Sequence, residues 1–313
     1  MKWIKELQEG DLIRGPLLVI NATKGLTNNG MSYMNLTLQD KTGTIEAKKW
    51  EVSEQDANML SPGNVVYFDG DVINYRDNLQ VKIRALSGIN EDEIDTTRFT
   101  ISSPIAIEEL EKRLDVYVNS IKNPDASIIV KTLVNKFYKS YITYPAAVRN
   151  HHEFSSGLLH HTVQMADLGE AIATLYPSVD RDMLIAGIIL HDLGKTIELS
   201  GPIIPKYTLE GKLIGHISIT HAQIQKTVDE LKISGDVPIL LSHMVLSHHG
   251  KMEYGSPVLP LTREAFLLSV IDDLDAKMMM LDKAYEATAE GEFTARIFPL
   301  DERSFYKPIK TKK

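Results

Sequence analysis

Two rhythms of apolar residues divide the chain. Up to about Ile89, short apolar runs of strand length alternate with turns. Residues 11–22 carry Leu12, Ile13, Leu17, Leu18, Val19 and Ile20, and residues 31–38 place Tyr33 and Met34 before Leu36 and Leu38. Asp40-Lys41-Thr42-Gly43 is a turn, and residues 44–50 follow it as a third strand. A helical or irregular piece ends at Ser61-Pro62-Gly63-Asn64, after which residues 65–73 and 79–86 flank a turn over 74–78. Five short strands with a break between the third and fourth predict a small Greek-key barrel.

From Ser103 onward the apolar period becomes helical. Ser103-Pro104 predicts a helix start, with serine as cap and proline in the first helical position. Helical spacing recurs over 107–118, 128–141, 159–175, 182–190, 216–231, 238–246 and 263–287. Residues 91–100 are acidic and threonine-containing, as in a linker, and there is no internal repeat. The tail from Arg296, with Pro299, Pro308, Lys307, Lys310, Lys312 and Lys313, predicts a flexible extension. The chain therefore reads as multidomain: an all-β barrel over 1–90, a linker over 91–103, an all-α helical bundle over 104–290 and a C-terminal extension over 291–313.

Composition narrows this picture only a little. A length of 313 residues suits two domains, each able to bury its own core. The absence of cysteine removes disulfides, thiolate metal sites and cysteine nucleophiles together, and a reducing cytoplasm is the natural setting. No apolar run reaches membrane-spanning length, and Met1-Lys2-Trp3-Ile4-Lys5-Glu6 lacks a signal-peptide core. A net charge of -8 argues against a passive polyanion binder, yet leaves room for a local basic groove.

The chemistry lies in the helical half. His161, the adjacent pair His191-Asp192, His216, His248-His249 and Asp272 form an ordered series of imidazoles and carboxylates. Such donors without thiolates suit divalent ions that activate water. The sharpest piece is His191-Asp192-Leu193-Gly194-Lys195, directly after the apolar run 183–190, where charged groups are costly unless something binds them. His216 and the choice between His248 and His249 are the least specific members. His160, His221 and His243 fall on other helical faces and read as structural or supporting residues. Of Asp273 and Asp275, one is placed to orient a ligand histidine, and a solvated helix face is the equal alternative. Arg149 and His152, before the first ligand helix, and Lys251 and Tyr254, after His249, either line a cleft or belong to plain polar loops.

The series resembles the HD superfamily of metal-dependent phosphohydrolases. That resemblance implies one metal on His161, His191, Asp192 and Asp272, and a second completed by His216, His248 and His249 with Asp192 bridging. It also implies a metal-activated water as nucleophile, since two cations sharing a water lower its pKa and neutralise charge on an attacked phosphoryl group. Asp192 would then be catalytic, and Lys195 would offer a point charge to a phosphate oxygen.

An HD site alone does not choose a substrate, and the attached barrel tilts the choice towards polynucleotides. The stretch from Leu36 to Ile45 resembles the core of the nucleic-acid-binding OB family. Barrels of that type hold single strands through stacked rings and basic residues. Tyr33, Trp50, Tyr67 and Tyr75 are candidate platforms, although Trp50 and Tyr67 also suit the barrel core. Lys48, Lys49, Arg76, Lys82 and Arg84 are candidate phosphate contacts.

An OB barrel ahead of an HD domain resembles the YhaM family of bacterial 3′-5′ exoribonucleases. The segments Gly157-Leu158-Leu159-His160-His161-Thr162, Leu246-Ser247-His248-His249-Gly250, Gly255-Ser256-Pro257 and Asp272-Asp273-Leu274-Asp275-Ala276-Lys277 carry this closer likeness. It implies a cytoplasmic enzyme that removes nucleotides from the 3′ end of single-stranded RNA, with single-stranded DNA as a second candidate substrate and manganese as the metal. The donor set also accepts iron or cobalt. A homo-oligomer is expected, as in other small processive nucleases. Two rival readings are a nucleotide or alarmone phosphohydrolase and a non-catalytic single-strand-binding replication factor.

Overall fold

The computed structural model describes the chain apart from residues 1, 28, 77, 90–97, 100–102, 104, 147–154, 203–204 and 311–313. Arg149 and His152 lie outside the described residues, as does most of the acidic linker. The chain forms two compact units, Met1–Ser102 and Ser103–Lys313.

In the first unit β1 (Leu12–Leu26), β2 (Ser32–Asp40), β3 (Gly43–Trp50), β4 (Val65–Tyr75) and β5 (Asn78–Gly88) close into a barrel in the order β1-β2-β3-β5-β4. All neighbours are antiparallel except β3 and β5, which run parallel. The short helix α1 (Glu54–Met59) fills the break between β3 and β4, capped by Ser53 and Asp56 in a reciprocal box. Period-two patterning drives closure: Met34, Leu36 and Leu38 on β2, and Val66, Phe68 and Val72 on β4, point inward and are buried. Gly70 on β4 permits close packing, because a Cβ there would lie 2.7 Å from the Lys82 carbonyl. Asp40 is buried at the end of β2 and pins the turn, accepting from Thr42 N–H and Oγ1 and from Ile4 N–H.

In the second unit the helices are α2 (Ile107–Ser120), α3 (Pro124–Thr143), α4 (Gly157–Leu175), α5 (Arg181–Leu190), α6 (Lys195–Glu198), α7 (Leu209–Leu213), α8 (Gly215–Leu231), α9 (Asp236–Ser247) and α10 (Arg263–Glu286). Helix α5 is buried along its apolar run from Met183 to Leu190 and forms the centre of the bundle. A helix that is apolar all round has no solvent face, which fits this central place.

Two expectations need correction, and one alternative left open is closed. The first long helix of this unit begins at Ile107, not at Ser103-Pro104. Ser103 instead accepts the Ile105 N–H and meets the His160 ring, 3.0 Å from Nδ1. The C-terminal extension is not a loose tail over its described length. Phe293 bridges Tyr306, Ile297 bridges Arg303, and the Lys307 ammonium donates to the carbonyls of Tyr285 and Thr288 at the end of α10. Lysine and proline content suggested disorder, but here a lysine caps a helix C-terminus. Finally, Trp50 and Tyr67 do not fill the barrel; both are exposed on its outer surface.

Candidate metal centre

Five segments bring the predicted residues together. His161 comes from α4, His191-Asp192 from the turn between α5 and α6, His216 from the start of α8, His248-His249 from the end of α9, and Asp272 from the middle of α10. The turn after α5 is pressed against α8: a Cβ on Gly194 would lie 2.3 Å from the His216 carbonyl oxygen, and Gly194 N–H donates to Thr220 Oγ1 at 2.8 Å. That close approach explains a glycine two residues beyond Asp192 at an ordinary helical φ of -61°.

Each of the five clustered histidines has its Nδ1 held from behind. His161 meets Asp275 at 2.6 Å, and His216 meets Glu198 at 3.1 Å. His191, His248 and His249 each donate to a backbone carbonyl at 2.7 Å, those of Ile188, Val245 and Tyr254. An imidazole whose Nδ1–H is engaged presents Nε2 as its lone-pair donor, the arrangement that orients metal-binding histidines.

The Nε2 atoms converge on the carboxylates. His191 Nε2 is 3.3 Å and His161 Nε2 3.8 Å from Asp192 Oδ2, while His216 Nε2 is 3.4 Å and His248 Nε2 3.8 Å from Oδ1. His161 Nε2 is also 3.2 Å from Asp272. Each Asp192 oxygen thus serves one side of the cluster. Three groups of ligand atoms are close enough to hold an ion: His161, His191 and Asp192; His191, His248 and Asp272; and His216, His248 and His249.

The residues fit divalent metal. Among the described residues, the Nε2 atoms of His191, His216 and His248 and Oδ1 of Asp192 are buried with no hydrogen-bond partner. Orphaned buried polar atoms are costly, and four aimed at one place are accounted for by a cation.

Electrostatics agrees. Burial pushes the Asp192 carboxyl up, but Lys195, His191 and His216 hold it well below the usual range, so it is an anion. Lys195 Nζ sits 2.5 Å from Asp192 Oδ2, and this pairing outweighs burial to keep the ammonium charged. Burial and neighbouring imidazoles push His248 and His249 down, leaving them neutral and ready to donate. For His161 burial acts downward, but Asp272 and Asp275 lift it to about 10, so without an ion its Nε2 keeps a proton facing Asp272, which a bound cation would have to displace. Bound divalent ions would supply Lewis acidity and a low-pKa water here. The chain itself supplies an anionic carboxylate at Asp192 and a positive charge at Lys195.

The HD domain family matches residues 158–277, and the family described as OB-fold nucleic acid binding domain matches residues 18–87. The 3′-5′ exoribonuclease YhaM of Geobacillus sp. (strain WCH70) is 47% identical over 309 residues, covering 98% of this chain and 95% of that one. The chain belongs to the YhaM family. Among solved structures, the second OB-fold domain of replication protein A from Methanococcus maripaludis is 21% identical, covering 29% of this chain and 95% of its own, with a TM-score of 0.23. Protein PriB from Ralstonia solanacearum is 16% identical, covering 26% of this chain and 98% of its own, with a TM-score of 0.23.

The metal-centre residues of this family member are accompanied by partners that sequence reasoning missed or left open. Glu198 accepts from both the ring and the backbone N–H of His216, and nothing singled it out beyond its place in a largely buried stretch. Asp275 is the carboxylate that meets Nδ1 of the clustered His161, whereas Asp273 pairs with Lys277. His243 accepts the Leu261 N–H and takes no part in the cluster.

The barrel candidates divide. Tyr33 and Trp50 are cross-strand partners with ring centroids 5.3 Å apart, and Lys48 Nζ lies 4.3 Å from each ring. Lys48 faces Lys82 across the parallel pair β3–β5. Arg76 lies over Tyr75 at 5.3 Å. Arg84 is engaged by Asp69 and Asp71, so its charge is locally offset.

Proposed function

We propose that the protein is a metal-dependent 3′-5′ exoribonuclease: its barrel holds a single strand and its helical unit hydrolyses the terminal phosphodiester. One observation carries this reading, the convergence of four histidine Nε2 atoms on Asp192, with His249 grouped beside His216 and His248, in a chain 47% identical to a 3′-5′ exoribonuclease. Asp192 is the bridging ligand, Lys195 meets a phosphate oxygen, and His161, His191 and Asp272 divide from His216, His248 and His249 between two ions. Manganese is the metal that the family resemblance implies, and the nitrogen and oxygen donors accept iron or cobalt as well. Arg149 and His152 belong to this reading as phosphate contacts.

On the barrel, the Tyr33–Trp50 pair supplies stacking, with Lys48 and Lys82 for the backbone, Tyr75 and Arg76 at the β4–β5 turn, and Arg84 as a lesser contact. Such contacts read bases and phosphates without a 2′-hydroxyl, so single-stranded DNA is a second substrate. The outward face of α10 carries exposed Phe266, Val270, Leu274 and Met278 at helical spacing, which supports a homo-oligomer. The absence of cysteine suits a cytoplasmic enzyme.

Manganese-loaded protein incubated with a 5′-labelled RNA oligomer tests the core of this reading. Stepwise shortening of the labelled strand, stopped by a chelator, is expected. An intact oligomer alongside rapid hydrolysis of free nucleotides would replace it with a nucleotide phosphohydrolase.

A further inference from the structure

The cleft over the metal centre encloses about 350 Å³. Small-molecule sites run from about 300 to 1,000 Å³, so this one suits a single nucleotide-sized group. Its floor is polar and charged, made by Asp192, Lys195, His248, His249 and Asp272. Apart from the imidazoles, Tyr254 is the one aromatic residue among the described lining residues, and it is 58% exposed. No structural role in the core accounts for a tyrosine there.

The position of Tyr254 is fixed with respect to the metal ligands. Its carbonyl accepts from His249 Nδ1 at 2.7 Å, and its N–H donates to the Lys251 carbonyl. The one-turn 3-10 helix Met252–Tyr254 ends on Gly255 at φ 97°, and Gly250, next to His249, adopts φ 75°. Left-handed glycines on both sides make the loop tight enough to return to His249 within five residues. Lys251 Nζ lies over the Tyr254 ring, 5.0 Å from its centroid, placing a cation against one face of the phenol.

We propose that Tyr254 is the stacking platform for the base of the 3′-terminal nucleotide, with Lys251 beside it to meet the adjoining phosphate. The inference rests on the exoribonuclease reading and adds a base subsite to it. Its chemistry fits the task. An enzyme that removes nucleotides in sequence meets all four bases at one position, and stacking on a ring accepts any of them because each has a π-face. Hydrogen bonding to base edges would instead stall the enzyme at disfavoured bases. The backbone of Tyr254 also steadies His249, so the base platform and a metal ligand share one short loop.

The test compares RNA oligomers that carry a normal or an abasic 3′-terminal nucleotide, using manganese-loaded wild type, Tyr254→Ala and Tyr254→Trp. Metal content is read by elemental analysis on each protein. Wild type is expected to lose roughly ten- to hundred-fold in kcat/KM on the abasic terminus, the size of one stacking contact. Tyr254→Ala should show a similar loss on the normal terminus and no further loss on the abasic one, with metal content kept. Tyr254→Trp should restore the preference for a base. Equal wild-type rates on both termini, or undiminished discrimination in Tyr254→Ala, would overturn the subsite alone. Failure of wild type to shorten either oligomer would overturn the exoribonuclease reading and the subsite with it.

Discussion

Asp272 and Asp275, three residues apart on α10, grip the two nitrogens of one imidazole: Asp272 lies 3.2 Å from His161 Nε2 and Asp275 2.6 Å from Nδ1. A single helix turn thus supplies both a carboxylate of the cluster and the group that orients a clustered imidazole. Replacing Asp275 with Asn keeps the shape and removes the charge behind His161. Manganese affinity measured by calorimetry should fall by about 10- to 100-fold, as for other outer-shell partners of metal histidines. Unchanged affinity would mean that the Asp275 carboxylate has no influence on the ligand.

Asp192 faces both sides of the cluster. Asp192→Asn should abolish hydrolysis, with a loss of at least about a thousand-fold in kcat, while a fluorescent oligomer still binds within a few-fold of wild type. Equal loss of strand binding would argue against the division of labour between barrel and bundle.

On the barrel, Lys48 lies between Tyr33 and Trp50. Trp50→Ala should weaken oligomer binding by about 1–3 kcal/mol, the range for one stacked base, at every ionic strength. Lys48→Ala should weaken it mainly at low salt and flatten the salt dependence by about one counterion. Fluorescence titrations at several salt concentrations separate the two.

The amphipathic periods of both units were legible in the sequence. So was the set of imidazoles and carboxylates that the fold brings together, because a histidine-aspartate pair directly after an apolar run is too costly to bury unless it binds something. Less legible was anything set by close packing. Gly194 looks like a turn glycine, yet its φ is ordinary and its role is to let α8 approach. Glu198 carries no motif of its own and becomes meaningful only once α8 is seen to begin beside it. Trp50 and Tyr67 were ambiguous because their burial depends on barrel register, which a slip of one residue reverses.

Gly194→Ala follows from that packing. The added methyl meets the His216 backbone at 2.3 Å, and backbone cannot swing aside as a flexible side chain can. Destabilisation of about 1–3 kcal/mol is expected by denaturant unfolding, together with weaker metal binding through displaced His216.

His243, outside the cluster, gives a pH signature of its own. Burial lowers its pKa from 6.5, and its neutral Nε2 accepts the Leu261 N–H. Between the lowered value and 6.5 the unfolded chain holds a proton that the folded chain does not, so stability rises with pH through that window and is lost below it. Relative to His243→Gln, the wild-type melting temperature should decline as pH falls from about 7.5 to about 5.5. A constant difference would remove His243 from the pH response.

Three of the five imidazoles lean on peptide oxygens, those of Ile188, Val245 and Tyr254. No point substitution deletes a peptide oxygen, so these three props are insulated from mutational drift. Hereditary adjustment of imidazole basicity is thereby funnelled through two side chains, Asp275 and Glu198, one behind His161 and the other behind His216.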